Sequence, residues 1–282
     1  MDAGPRYAAD AVVTGLYVHP IKSLSPERVD TVTLGSDGGP VRDRRYVLVD
    51  DHGNQVKAVN EGALVGIDAD YTFDGDELES VELSAAADSA PESGKYAFPE
   101  ERHRVATWVE DYLGTSVHLE EQQKGSLVGN SPGKGPALIS RGTLEALSEP
   151  FAFGPDNLRE RLRPNIVVDG VDAGWEDFLY PPDREAADQG SVSISGTKLY
   201  AVEPCERCAV PARDTATAEI SGPNYDNYQD FTESFASARE EMYPEAATNP
   251  LDTWYHAMVL TETPATSIGN PISTDDIAWR PV

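Results

Sequence analysis

The sequence predicts a strand-rich α+β protein built in two packed parts. Three observations carry this. Residues 12–60 alternate apolar and polar positions in short runs, VVTGLYVHP, VDTVTL, RYVLVDDHG and QVKAV, which is the period of half-buried strands. Helical periodicity is confined to a few short stretches. A Gly-rich connector over residues 121–136 separates the early strands from a second strand-bearing region, placing a boundary between 1–122 and 123–282.

In the first part, Asp37-Gly38-Gly39-Pro40 and Asp51-His52-Gly53-Asn54 supply turn chemistry between strands, as in a small barrel or curled sheet. Residues 72–102 are acidic and weakly periodic and read as a loop or loose strand pair. Residues 104–113 place Val105, Trp108, Val109 and Tyr112 on one helical face, with Gly114 as the stop. In the second part, Ser140 caps a helix through Leu147 and Asp156 a second through Arg161. Residues 165–169 (NIVVD) form a buried strand, and 191–203 a hairpin turning at Ser195-Gly196. Residues 227–242 carry a helix on Tyr228, Phe231 and Phe235, and strand-like pieces around Met258–Thr261 and Gly269-Asn270 close the chain.

With 282 residues the chain can bury a real core. No apolar run reaches the ~18 residues of a membrane helix, and the first residues show no basic start followed by an apolar stretch. A cytoplasmic monomer is the expectation. The formal net charge is −27, from 49 Asp and Glu against 22 Lys and Arg. Such a field repels nucleic acid and anionic membranes. The acidic residues are dispersed, so they read as the solvated surface of a halophilic protein, whose self-repulsion concentrated salt removes. Positive charge is correspondingly informative. It clusters at Lys22, at Arg42, Arg44 and Arg45, at Arg159, Arg161 and Arg163, and at Arg207 and Arg213. These stretches are candidates for an anion site, against surface ion pairing as the alternative.

The only cysteines form Cys205-Glu206-Arg207-Cys208. Four roles are open. A structural zinc needs about four ligands and no second pair exists. A thioredoxin-like pair opens a helix, whereas this one ends a strand and precedes Pro211. Both could be inert small hydrophobes. Alternatively, one thiolate is functional, favoured by Arg207 and suited to a soft or high-valent metal. Two cysteines cannot hold a ferredoxin-type iron–sulfur cluster. Gly129–Gly135 imitates a phosphate loop, but Gly135-Pro136 stands where a Ser or Thr and a helix belong. Arg161-Leu162-Arg163-Pro164-Asn165 puts two guanidinium groups just ahead of a strand, a geometry that suits phosphate or carboxylate.

Together these segments resemble the MOSC superfamily, in the group that holds the amidoxime-reducing components and the C-terminal part of molybdenum cofactor sulfurase. The resemblance runs in order along nearly the whole chain: His19-Pro20-Ile21-Lys22-Ser23, then Asp43-Arg44-Arg45-Tyr46 with Asp50 through Gly53, then residues 161–169, Trp175-Glu176-Asp177, residues 204–214, and Ile268-Gly269-Asn270-Pro271-Ile272. It implies an N-terminal β-barrel domain packed on a MOSC β-barrel with peripheral helices. It further implies molybdopterin as cofactor, with Cys208 as the molybdenum ligand. Lys22, Ser23, Arg44 and Arg163 would hold the pterin and its phosphate, with Ser140, Thr143, Asn165 and Arg207 beside them. The implied activity is two-electron reduction of N-hydroxylated or related N/S-oxide compounds. Asp214 is then a candidate proton donor, and an external donor such as a ferredoxin with its reductase supplies electrons. No pyridoxal phosphate is required. The alternatives are a non-catalytic cofactor carrier or sulfur-transfer module bearing a Cys208 persulfide, and a metal-free binding barrel. The sequence departs from the family pattern at His19, Tyr46, Leu162 and Ala218. Ala218 bears on the loop after Cys208, because a Gly often stands there.

Overall fold

The computed structural model describes residues 11–122, 135–179, 190–222, 224–245, 247 and 249–279. In chain order it forms β1 (Ala11–Val18), β2 (Glu27–Val29), β3 (Thr31–Thr33), β4 (Tyr46–Val49), β5 (Ile67–Asp74), β6 (Glu77–Ala85), β7 (Gly94–Ala97), α1 (Arg102–Leu113) and β8 (His118–Glu121). There follow β9 (Ala137–Ser140), α2 (Arg141–Ser148), α3 (Pro155–Leu162), β10 (Ile166–Asp169), β11 (Ser191–Ile194) and β12 (Thr197–Glu206). The last elements are α4 (Tyr228–Met242), β13 (His256–Glu262), β14 (Pro271–Ser273) and β15 (Ile277–Trp279).

The strands β1, β10, β9, β13, β12, β11 and β15 pair in that order, and β15 returns to β1, closing a barrel of seven strands. Closure removes the exposed edges that an open sheet must protect. Every pair is antiparallel except β9–β10, whose parallel register (Ile166 beside Leu138) needs a long crossover. The helices α2 and α3 supply that crossover. Their apolar residues Leu144, Leu147, Leu158 and Leu162 pack with Phe231 and Phe235 of α4 over Ile139 and Val167. A second core of Val13, Leu16, Leu138, Ile166, Leu199 and Val259 joins the barrel strands.

Within the first 122 residues, the pair β4–β8, the meander β5–β6–β7 and α1 wrap one further core, including Leu48, Val81, Leu83, Val105, Trp108 and Leu119. This part is tied to the rest by its own opening strands. β1 closes the later barrel, β2 extends β1, and β3 pairs with β14. The chain therefore leaves the barrel after Val18 and builds the N-terminal part. It then returns to complete the barrel it began.

The predicted fold class is what the structure has, and the helices at 104–113, 140–147 and 227–242 form where expected. Gly114 takes φ +69 as the left-handed stop of α1, and the Ser140 side chain accepts from Thr143 N at the start of α2. Two expectations are corrected. Residues 72–102 are more ordered than the loop or loose strand pair expected, because 67–97 form a three-stranded meander. The regular alternation of β6 slips between Ser80 and Val81, opposite a β-bulge between Thr72 and Phe73, and this hid the period. Asp156 is not a cap either: Gly154 is the cap of α3, Pro155 opens it, and Asp156 lies in its first turn. Most of the Gly129–Gly135 segment lies outside the described residues.

One buried ion pair links the helical layer to the barrel. Arg239 of α4 donates from both terminal nitrogens to the carboxylate of Asp177, in the 3₁₀ turn Trp175–Leu179, and each side chain is 1% exposed. Removing one partner of such a pair strands the other charge in the interior. Arg239→Met is expected to lower the unfolding free energy by about 3–5 kcal/mol, read as a fall in the urea midpoint. An unchanged midpoint would show that Asp177 is reached by solvent.

Candidate functional site

Three chain segments converge beside the C-terminus of α3, and each reaches it through an unusual backbone. Ser23, Arg44 and Arg163 adopt φ +79, +51 and +62. Side chains other than Gly avoid this left-handed region at a cost of about 1–2 kcal/mol. Arg163 precedes Pro164, which narrows its options further. Its amide is nevertheless held on the Arg159 carbonyl at 2.8 Å, capping α3 and turning the chain into β10. The amide of Arg44 is held on the His19 carbonyl at 2.8 Å, and that of Lys22 on the Tyr46 carbonyl at 2.8 Å. Strain kept in place by such bonds points to a task for the side chains.

The side chains bring positive charge together. Burial, with Arg44 and Arg207 beside it, draws the Arg163 guanidinium well down from its ordinary value. Its Nη2 is sealed from solvent with no acceptor, and no ion pair holds it among the described residues. Arg44, by contrast, is paired with Asp43. Burial alone would raise the Asp43 carboxyl. The Arg44 charge and the His19 hydrogen bonds outweigh it and hold Asp43 ionised. Lys22 donates to Gln55 Oε1 at 3.0 Å, and burial with Lys57 and Arg44 nearby lowers it to about 8. The Oγ of Ser23 accepts from Ala58 N at 3.0 Å.

His19 was not singled out from the sequence as a site residue, and the structure puts it in this group. It is fully buried, and burial with Arg163 and Arg44 lowers its pKa to about 3, so the ring is neutral. Its Nδ1 lies 3.2 Å from Asp43 Oδ1, which assigns the proton there and leaves Nε2 as a buried acceptor without a donor. The site thus presents an unanswered cation beside an unanswered acceptor.

The cysteine loop closes the arrangement. Cys205 is buried at the end of β12, and Cys208, just beyond it, is exposed. Arg207 points inward between them. Its Nη1 lies 2.9 Å from Cys205 Sγ, and its Nη2 donates to the Leu162 carbonyl at 3.0 Å, one residue before Arg163. Tyr255 clamps the loop from the other side, donating to the Cys208 carbonyl at 2.9 Å while its own carbonyl accepts from Arg207 N at 3.0 Å. A cleft of about 770 Å³ adjoins the group, with Arg163 in its wall and Val210 near the cysteine loop.

The remaining predicted residues lie elsewhere or work differently. Asn165 is fully buried, accepting from Ala137 N and donating to the Tyr17 carbonyl, so it splices β9 and β1 to the start of β10. Ser140 is three residues further along β9 than Ala137, about 10 Å at the strand rise. It shares a sealed bond with Thr143 (2.9 Å), which in turn accepts from Gly174 N. These three side chains serve the framework. Asp214 accepts from the amides of Ala216 and Thr217 and from Arg161. Burial opposes its ionisation, but these donors prevail and keep its carboxyl below the usual range. A carboxylate so held has no proton to give at neutral pH. Ala218 takes φ +62, the conformation that a Gly would adopt freely.

Residues 10–116 match the family described as the MOSC N-terminal beta barrel domain. The mitochondrial amidoxime-reducing component 1 of Xenopus laevis aligns with 24% identity over 299 residues, covering 93% of this chain and 81% of the relative. The likeness to the MOSC N-terminal beta barrel domain thus covers residues 10–116.

The lowered Lys22 gives the cluster a pH dependence. Lys22 is charged below about pH 8 and neutral above it. The Lys22 share of any anion affinity is therefore present below pH 8 and lost as pH rises through it, so molybdate should bind more weakly at pH 9 than at pH 7. Lys22→Arg, which stays charged, should flatten the difference. In the unfolded chain Lys22 keeps its proton to higher pH, so its contribution to stability rises between pH 8 and 10.5.

Proposed function

We propose that the chain is a molybdenum-cofactor oxidoreductase that reduces N-hydroxylated compounds, with Cys208 as the thiolate ligand of the metal. The observation that carries the reading is Arg163 Nη2, left without an acceptor beside Arg44 and Arg207, the latter joining the turn at Leu162 to the loop that ends at the exposed Cys208. A phosphorylated pterin fits those groups. Its phosphate would answer Arg163, Arg44 and Lys22, and a ring N–H would answer His19 Nε2. A soft thiolate suits the metal. The likeness to an amidoxime-reducing component agrees with the assignment.

When bound, the cofactor would supply two-electron reduction of an N–O bond. The net change takes two electrons and two protons and converts N–OH to N–H and water. Arg207 ties the loop to Cys205 and to the Leu162 carbonyl, with the Cys208 side chain exposed beyond it. Arg163 and Arg44 would hold the anionic end of the cofactor. Because Asp214 is held ionised, protons come from solvent at the exposed mouth. Electrons come from an external protein such as a ferredoxin with its reductase, since the two cysteines cannot hold a cluster.

Metal analysis of the purified chain tests this. Molybdenum near one per chain is expected, falling to background in Cys208→Ala. The loaded protein with a chemical reductant should convert benzamidoxime to benzamidine. A persulfide on Cys208 without molybdenum would overturn the reading in favour of a sulfur carrier, and a metal-free, unmodified Cys208 would leave a binding barrel.

A further inference from the structure

The cleft beside Arg163 extends well past the residues assigned above. It runs between the N-terminal part (Ser25, Pro26, Val65 to Asp68, Ser84 to Ala86) and α3 with residues 210–216. Its volume is in the range of small-molecule sites, and Val65, Ile67, Ala85 and Val210 give it apolar walls. Against these walls stand Arg28, Arg159, Arg161 and Arg163, four of the 22 cations in a chain of net charge −27.

These arginines are not equivalent. Arg161 is spent on Asn157, the carbonyls of Pro211 and Arg213, Tyr225 and Asp214. Arg163 is assigned above to the proposed cofactor. Arg159, one helical turn earlier, is 9% exposed, and its guanidinium carbon sits over the Tyr17 ring, 4.0 Å from the centroid. Of its nitrogens, Nη2 donates to Glu160 at 2.8 Å while Nε has no acceptor. Arg28 stands exposed in the same cleft, with one bond to the Thr14 carbonyl. The acids in the cleft answer only part of this charge. Glu160 is paired with Arg159 and Asp156 with Arg141, which leaves Asp68. A guanidinium that lines the cleft over an aromatic ring, against apolar walls, is a recognition geometry for a planar oxyanion on an apolar body.

We propose that this cleft seats a carboxylate-bearing organic molecule through Arg159, with Arg28 assisting, and that the protein therefore selects N-hydroxylated substrates carrying an acidic group. The claim about substrates rests on the reductase reading; the seat itself does not.

Calorimetry on the holo-protein with benzoate and its neutral isostere benzamide tests the seat. Benzoate should bind one per chain, at least about tenfold more tightly than benzamide, as one charge-assisted bond allows. Arg159→Gln should erase that difference and Arg159→Lys should restore part of it. Equal binding of both probes, or benzoate binding unchanged in Arg159→Gln, overturns the proposal. Should Arg159→Gln fail to fold, Arg28→Gln must weaken benzoate about two- to threefold for the seat to stand. In turnover, 4-carboxybenzamidoxime should show a higher kcat/KM than benzamidoxime, through KM, and Arg159→Gln should remove the preference. Arg104→Gln, at an exposed α1 residue that does not line the cleft, should keep it. A wild type without the preference overturns the substrate claim. Turnover of neither compound alongside intact benzoate binding sinks the reductase reading while the seat stands.

Discussion

Arg207 places its guanidinium on a thiol sulfur and a main-chain carbonyl, with no carboxylate in between. An ion pair would have neutralised it. Here the charge stays available to the cysteine loop, and the two bonds lock that loop to the end of α3. Because the Leu162 carbonyl is the second acceptor, the same side chain that orients Cys208 also fixes the turn that presents Arg163. Cys205 has its role in this contact. It anchors Arg207 from beneath and leaves Cys208 as the outward thiol.

The rest of the site inherits its geometry from how the chain is threaded. β1 closes a barrel whose other strands come mostly from the second half, and the chain leaves it directly into His19–Ser23. Arg44 is then bound through its amide to the His19 carbonyl. One strand thus brings the N-terminal cations against Arg163, and the three left-handed residues are the joints where the segments bend to meet. A cation cluster of this kind opposes folding by itself. It persists because the barrel, the α3 cap and the Asp43–His19–Arg44 contacts together over-determine the backbone.

Much of this was legible beforehand. Strand alternation, the Ser140 cap, the Gly114 stop and the clusters of Arg and Lys are local signals, and local signals survive in a sequence. The role of His19 did not, since its consequence depends on Asp43, Arg44 and Arg163, brought beside it only by the fold. Asn165 and Ser140 show bonds that the sequence did not announce. Both stand in or next to a motif that suggests ligand binding, yet each has its polar atoms taken by the backbone that positions its neighbours. The meander at 67–97 was hidden by one bulge, which is enough to break a period of two.

The two charge populations of this protein answer to different physics. The dispersed carboxylates face water, and at about 1 M salt their mutual repulsion is screened within ~3 Å. The cations at Arg44, Arg163 and Arg207 are withdrawn from solvent and far less screened. Salt strong enough to quiet the surface therefore leaves the attraction of the site for an anion largely in place. At low salt the ranking reverses: the surface field repels any approaching anion, and the cluster must overcome it. A strongly acidic surface and a cationic site are thus compatible, with concentrated salt as the condition under which the site dominates.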